Sequence, residues 1–264
     1  MCCFTVTTAP GLFARLFQRP VHVSATRIFA RMLEPGQQAL AYSMNLDAAA
    51  PVAMVLPLPV AIGSGDDALQ FVDLSAHPRM FVELHELFEF QPVAAARGGV
   101  RMGGPPRQTL VVHRVGSFVA SYVPTRADFD RLDPRFRLPA VLFDAVPHYA
   151  DYGFAVFQLD AGKSTLHPMA FKFASRDATR LFFPTVHVHD GQFHARAKFD
   201  HALYYQTPRC HQLPTTVPFG SFDNDAVAWR APGRDYAGLV VSGQPMVRRT
   251  LHGRLPNQDT WIPA

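Results

Sequence analysis

The sequence predicts an α+β protein with a mainly antiparallel β-sheet and a few short helices. Many short runs combine β-branched and aromatic residues with alternating polarity, which is typical of half-buried strands. Turn signals such as Glu34-Pro35-Gly36 separate these runs, because proline presets one turn dihedral and glycine tolerates the other. Helical spacing of apolar residues is confined to short segments between strand pairs, which favours an antiparallel sheet.

The first half of the chain contains three segments with strand character, the first of which reads as one or two strands. They cover residues 21–33, 38–47 and 52–60. The third run contains Pro57 and Pro59, which lack the amide hydrogen that a sheet ladder requires. We therefore expect this strand at an edge of the sheet, or leaving the sheet early.

Short helices are predicted in two parts of the chain. Residues 66–74 and 78–88 read as helices, and in the second of these the apolar residues recur at helical spacing. Thr125, followed three residues later by Asp128, resembles a capping box and predicts a helix start. A further helix is predicted over residues 139–146. The remaining strands are predicted over 109–124, 152–159, 167–173, 181–189 and 192–199.

A length of 264 residues is compatible with one large domain, and we predict a single domain over residues 1–264. Residues 91–108 are rich in Gly, Pro, Ala and Arg, which predicts a mobile loop within that domain. Segments 41–58 and 153–173 share an order of features, namely a strand, Leu-Asp-Ala, a turn and a second strand. This similarity raises the hypothesis of two similar sheet halves.

Composition argues against several classes of protein. The net charge is +4, but the arginines are scattered and form no basic arm or aromatic-basic motif, so no nucleic-acid partner is expected. No uncharged apolar stretch reaches the roughly 18–20 residues of a membrane span. Three cysteines do not suggest a disulfide framework, and no basic region precedes the apolar N-terminus. We therefore expect a cytoplasmic protein without a membrane partner.

The sharpest functional pattern is a histidine-rich segment at residues 185–196. Asp190-Gly191 lies between two alternating runs, which favours a two-residue type I′ hairpin. In that register His187 pairs with His194, and His187 and His189 share a face because they are two residues apart. Three imidazoles would then converge on one side of the hairpin.

Three converging imidazoles are a suitable ligand set for a catalytic metal ion, with one position left for water. We therefore predict a metal-dependent enzyme, a hydrolase above all, with zinc as the first choice and iron or copper as alternatives. His187, His189 and His194 would be the ligands, and His167, His201 or Asp190 would supply a fourth. Asp190 or Asp200 would orient a ligand or act as the base.

The substrate of such a site is expected to be a small molecule, and the arginine content suggests an anionic one. Arg196 or Arg176 would hold its anionic group, since guanidinium binds carboxylate or phosphate through two parallel hydrogen bonds. Glu83 is a further candidate base. The plainer reading of the histidines is a polar, solvated face of a half-buried hairpin.

A second hypothesis starts from Met1-Cys2-Cys3. Removal of Met1 would place a thiol and a free amine on Cys2, and such an amine serves as the base for its own nucleophile. This predicts an N-terminal-cysteine amidohydrolase. A third hypothesis is a non-catalytic binding protein that presents proline-rich and aromatic surface to a partner.

Overall fold

Strands dominate the structure. The computed structural model describes residues 2–6, 21–89, 113–115, 118–132, 143–144, 146–188, 192–209, 219–222, 225–229 and 232–264. Over these residues the protein is mostly β-sheet with few helices, which agrees with the β-rich part of the prediction. The predicted loop at 91–108 lies outside the described residues. None of the described helices has the length and apolar character needed to cross a membrane.

The strands follow one another along nearly the whole described chain. In chain order they are β1 (Cys2–Val6), β2 (His22–Glu34), β3 (Gln37–Ala48), β4 (Val52–Leu58), β5 (Leu69–Val72), β6 (His113–Val115), β7 (Phe118–Val123), β8 (Gly153–Leu159), β9 (Gly162–Thr165), β10 (Met169–Ala174), β11 (Arg180–Phe183), β12 (His187–Val188), β13 (Arg196–Gln206), β14 (Phe219–Phe222), β15 (Asp225–Ala228), β16 (Met246–Pro256) and β17 (Thr260–Pro263).

Helical structure is sparse in the described chain. The predicted helix at 78–88 is confirmed as α1 (Met80–Glu86), which buries Met80, Phe81 and Leu84. The residues after Thr125 form a 3₁₀ helix, Arg126–Arg131, and Thr125 Oγ1 donates to Asp128 Oδ2 at 2.7 Å. A second 3₁₀ helix covers Pro147–Tyr149.

The predicted helix at 66–74 is wrong. Residues Leu69–Val72 form β5, which pairs antiparallel with β10. Leu69 is buried, Gln70 is exposed and the ring of Phe71 packs edge-on to that of Phe157 at 5.6 Å. Alternation of period two therefore determines this segment, because a sheet edge is available to accept it.

Two large sheets organise the described strands. One has the order β12-β1-β4-β8-β7-β6 and is called sheet A; the other has the order β14-β15-β16-β13-β2-β3-β10-β5, with β9 also paired to β3, and is called sheet B. Strands β11 and β17 form a separate pair. Pairing is antiparallel except between β1 and β12 and between β2 and β13.

Of the two alternatives expected for residues 52–60, the edge position is wrong. Strand β4 lies between β1 and β8 in sheet A. The pairing with β1 stops at Val55, whereas the pairing with β8 continues to Leu58. Pro57 lies beyond the described pairing with β1, so its missing amide hydrogen interrupts no described ladder on that side.

The buried apolar residues form three clusters. The largest cluster lies between the sheets and joins residues such as Tyr42 of β3, Met54 of β4 and Phe171 of β10. A second cluster covers the other face of sheet A with Phe129 and Tyr149 of the 3₁₀ helices. A third cluster packs α1 and residues 236–240 on the outer face of sheet B.

The hypothesis of two similar halves is not confirmed. In segment 41–58 the chain passes from β3 in sheet B to β4 in sheet A. In segment 153–173 it passes from β8 in sheet A to β9 and β10 in sheet B. The two segments run through the sheets in opposite order, so their shared sequence features do not mark equivalent structural positions.

Candidate functional site

Two histidines from different sheets meet where the ends of sheets A and B approach each other. His187 Nε2 of β12 lies 2.9 Å from His201 Nε2 of β13. His201 is 1% exposed, whereas His187 is half-buried. The ring of Phe199 packs against both imidazoles, with centroids 4.6 Å from His187 and 5.2 Å from His201. The imidazole pair is thus held in a largely water-excluded setting.

Asp200 lies beside the buried member of the pair. Its Oδ1 is 3.6 Å from His201 Nδ1, and its Oδ2 accepts a hydrogen bond from Ala25 N–H at 2.6 Å. Ala25 has a positive φ of 50° and sits where β2 shifts register between Ser24 and Arg27. The bulge therefore turns a backbone donor towards this carboxylate, at a local conformational cost that a non-glycine residue seldom accepts.

Electrostatics assign the protonation states of this cluster. Contact with His201 and the Ala25 hydrogen bond hold the pKa of Asp200 at about 2, so Asp200 is ionised near neutral pH. Burial lowers the pKa of His201 and keeps its ring neutral, while the Asp200 charge opposes that shift. The ionised carboxylate favours the His201 tautomer with its proton on Nδ1. With that tautomer, His201 Nε2 would accept from His187 Nε2–H, and the lone pair of His187 would lie on Nδ1.

Asn257 fixes the backbone of His187. Its Oδ1 accepts from His187 N–H at 2.7 Å, and its Nδ2 donates to the carbonyl oxygens of His187 and His194 at 2.9 and 2.8 Å. Asn257 is 5% exposed and follows directly after β16. It therefore sets the position of β12 relative to the β13–β16 pair, and with it the position of the His187 ring.

Cys2 is the strand neighbour of His187. Strands β1 and β12 pair in parallel, with Cys2 opposite His187 and Cys3 opposite Val188. The two features that the sequence singled out separately, the N-terminal cysteine and the histidine-rich segment, are thus adjacent across one ladder. The distance between adjacent strands is about 4.8 Å.

The predicted hairpin is not formed. Strand β12 pairs with β1, and β13 pairs with β16 and β2. Residues 192–195 belong to no strand, so His187 does not pair with His194. The local turn signal is overridden because β12 finds a partner at the other end of the chain, and β13 is longer and better paired from Arg196 onwards.

The other predicted ligands do not join His187 and His201 in the described structure. His194 is exposed, and its carbonyl oxygen is bound by Asn257. His167 stacks on Phe118 of β7 with centroids 4.1 Å apart. Strand β7 is four strands from β12 in sheet A, which separates the two strands by about 19 Å. His189 and Asp190 lie outside the described residues. Among the residues that the structure describes, no group of three His, Cys, Asp or Glu side chains is arranged to hold a metal ion.

The remaining candidates have separate roles. Arg176 pairs with Asp151 at 2.8 Å and lies over the Tyr152 ring, away from the histidine pair. Arg196 is exposed and donates to the Arg254 carbonyl oxygen at 2.7 Å. Glu83 accepts from the Tyr236 hydroxyl at 2.7 Å beside α1. Of these three, only Arg196 lies on a strand of the site.

Sequence reasoning missed Ala25, Phe199 and Asn257. Ala25 has no side chain that signals a function, and the bulge that exposes its N–H follows from pairing with β3. Asn257 follows Pro256 and is of a type that often bonds to backbone groups in turns, which is the only local signal for its role. Its partners lie 70 and 63 residues earlier in the chain.

Comparisons with known proteins give a likeness of overall fold at most. A scan against protein-family models and a search of curated proteins gave no match. Among solved structures, baculovirus P35 is similar over 92% of this chain and 97% of its own, with a TM-score of 0.48 and 12% identity. For P35 in a complex with caspase-8, the TM-score is 0.46 and the identity is 11%, over 91% of this chain and 96% of that one. For a mutated baculovirus P35 after caspase cleavage, the TM-score is 0.44 and the identity is 12%, over 91% of this chain and 99% of that one. These values assign neither a family nor a function to the chain.

Proposed function

We propose that this protein is an amidohydrolase that uses Cys2 as its nucleophile and His187 as the base that activates it. The observation that carries the proposal is the adjacency of Cys2, by strand register, to a carboxylate–imidazole–imidazole chain formed by Asp200, His201 and His187. A nucleophile, a base and a third group that orients the base are the parts that such catalysis requires.

The order of the three groups suits proton transfer. Asp200 stabilises positive charge on His201, and His201 accepts a hydrogen bond from His187, so a proton taken up by His187 is stabilised through the chain. Phe199 packs against both rings and His201 is buried, and reduced contact with water strengthens the electrostatic contacts of His201. A thiol beside such a base has a lowered pKa and reacts as thiolate.

The proposed reaction conserves atoms and charge. The Cys2 thiol gives its proton to His187, and the thiolate sulfur bonds to the carbonyl carbon of an amide. The C–N bond breaks while the leaving nitrogen takes the proton from His187, and a thioester remains on Cys2. Water deprotonated by His187 then attacks the thioester, which releases the acid and restores the thiol.

The first test measures the reactivity of Cys2 without knowledge of the substrate. Iodoacetamide alkylation at pH 6.5 is followed by peptide mass spectrometry, which gives separate rates for Cys2, Cys3 and Cys210. We expect His187→Gln to slow alkylation of Cys2 by about tenfold, because without the base a smaller fraction of the thiol is present as thiolate. The same spectra give the N-terminal mass and show whether Met1 is removed.

His167→Gln is the matched control, since it removes an imidazole of similar partial burial that packs on Phe118 of β7, away from β12. Its Cys2 rate should equal that of the unmodified protein. A Cys2 rate that does not change between the unmodified protein and His187→Gln would overturn the proposal.

A second candidate, the metal-dependent hydrolase, is favoured by one observation. The Nε2 atoms of His187 and His201 face each other at 2.9 Å, and Asp200 lies at the other nitrogen of His201. A carboxylate behind a ligating imidazole is a common arrangement around zinc. A third ligand would come from His189, Asp190 or Cys2, and zinc would be the first choice for nitrogen and sulfur ligands.

Metal content separates the two candidates. For the metal site, elemental analysis of purified protein dialysed against zinc should give near-stoichiometric metal, which a His187→Ala/His201→Ala double variant loses. His194→Ala serves as the control, because its exposed side chain is not part of the pair. This candidate would be rejected if the double variant binds as much zinc as the unmodified protein, or if the unmodified protein binds none.

A further inference from the structure

The outer face of sheet B is divided into a covered end and an open end. At the covered end, α1 and residues 236–240 pack on Phe29, Tyr204 and Met246. At the open end, the same face of β13 and β16 presents mostly polar and charged side chains together with Pro256, because inward-facing residues such as Phe199 and His201 alternate with them. Asp200 is on this open end, next to the candidate site.

Three positive charges form a strip on the open end. Arg196 and Lys198 of β13 and Arg254 of β16 are all exposed and are called the cationic strip. Lys198 lies directly opposite Arg254 in the antiparallel ladder, and Arg196 Nη2 is fixed on the Arg254 carbonyl oxygen at 2.7 Å. Directly opposed residues have their Cβ atoms about 5 Å apart.

The placement of these charges is unfavourable for the protein alone. Like charges directly opposite each other destabilise a strand pair. Within the described residues, Arg196, Lys198 and Arg254 form no ion pair with Asp or Glu. The nearby Asp200 is already engaged by Ala25 N–H and His201. An anionic ligand is the simplest partner that offsets this repulsion.

The geometry of the strip indicates which anion fits. Arg196 and Lys198 are two residues apart on one strand, so their Cα atoms are separated by about 6.7 Å. Alternate side chains on one face of an extended peptide repeat at the same distance. The outer-facing positions of this end, from His22 and Ser24 through Lys198 to His252 and Arg254, carry no Phe, Tyr or Trp on which bases or sugar rings would stack.

We infer that the cationic strip binds an extended acidic peptide segment with carboxylates at alternate positions. The bound segment would pass within about 7 Å of Asp200, since Lys198 and Asp200 are two residues apart on the same strand face. The inference also names the substrate class of the proposed enzyme, an amide bond in an acidic peptide, and in that respect it rests on the proposed function. The binding surface itself does not require Cys2 to react.

The test is fluorescence anisotropy with a labelled peptide of alternating glutamate and serine, measured on the full-length protein. We expect the double variant Lys198→Glu/Arg254→Glu to weaken binding by about tenfold or more, and added salt to weaken binding to the unmodified protein. Arg79→Glu/Arg234→Glu changes the net charge equally at exposed positions elsewhere and should change the affinity less than about twofold. Thermal melts confirm that both variants fold.

Three outcomes would overturn the inference. Equal losses in the two double variants would make net charge the only cause. Equal affinity for a peptide in which the same glutamates and serines form two blocks would show that alternate spacing of the carboxylates does not matter. Tighter binding of a sulfated oligosaccharide than of the peptide would identify a different polyanion as the ligand. Peptide binding to Cys2→Ala protein is measured in parallel, and binding that persists shows that the cationic strip does not require the thiol. If, in the separate alkylation assay, the Cys2 rate does not depend on His187, the proposed enzyme is rejected while the peptide-binding strip is retained.

Discussion

Replacement of Arg249 by methionine should lower the free energy of unfolding by about 3–5 kcal/mol, because it leaves a buried carboxylate without its cationic partner. Asp225 is 4% exposed and receives two hydrogen bonds from Arg249, Nε to Oδ1 at 2.7 Å and Nη2 to Oδ2 at 2.9 Å. The Tyr205 hydroxyl also donates to Oδ2. Methionine keeps much of the side-chain volume but supplies no donor, so the loss measures the ionic contact more than packing.

Urea denaturation followed by fluorescence measures this effect. Arg254→Met is the control, since its exposed side chain forms no ion pair among the described residues and should change the stability by less than about 0.5 kcal/mol. Arg249→Met/Asp225→Leu should recover part of the loss, because it removes the uncompensated charge as well. A single-variant loss below about 1 kcal/mol would contradict the assigned role of the pair.

Replacement of Asn257 by alanine should lower the free energy of unfolding by about 3 kcal/mol and also slow alkylation of Cys2. The stability loss follows because one buried N–H and two carbonyl groups lose their partner, at about 1–3 kcal/mol for each group that stays unsatisfied. The reactivity loss follows because Asn257 positions the His187 backbone. Urea denaturation and the alkylation assay are run on the same protein.

Asn45→Ala is a suitable control, because Asn45 also accepts a side-chain hydrogen bond, from Thr165, but in an exposed setting. It should alter neither quantity appreciably. A purely structural role for Asn257 would reduce stability but leave the alkylation rate of folded protein unchanged, and that result would reject its role as a positioning residue.

Much of the fold follows from local sequence patterns, and the errors have identifiable causes. Strands β2 and β3 were predicted almost to the residue, because their alternation is strong and Gly36 supplies the turn between them with a φ of 79°. Residues 66–74 were misread because the sequence does not reveal that β10 offers them a sheet edge. Pro57 was misread because the extent of the pairing between β1 and β4 is not a local property of β4.

For the candidate site, some of the residues were predicted but their arrangement was not. Clustering of histidines pointed to His187 and His201, and the chemistry of an N-terminal cysteine pointed to Cys2. Their adjacency depends on a parallel pairing between β1 and β12, for which no turn signal exists. The Asp190-Gly191 signal led to a hairpin because local rules do not weigh a competing strand that is distant in sequence. Ala25 and Asn257 follow from the tertiary pairing alone.

The parallel pairing of β1 with β12 also bears on how the protein acquires its site. Residues 2, 25, 187, 201 and 257 come together, so the site is closed by contacts between segments that are far apart in sequence. Closing such loops is slow, and proteins rich in distant pairings fold over milliseconds to seconds. During synthesis Cys2 emerges long before His187 and Asn257 exist. The proposed nucleophile, Cys2, therefore gains its proposed base only after residue 257 has been synthesised, and acylation of Cys2 has to wait until that point.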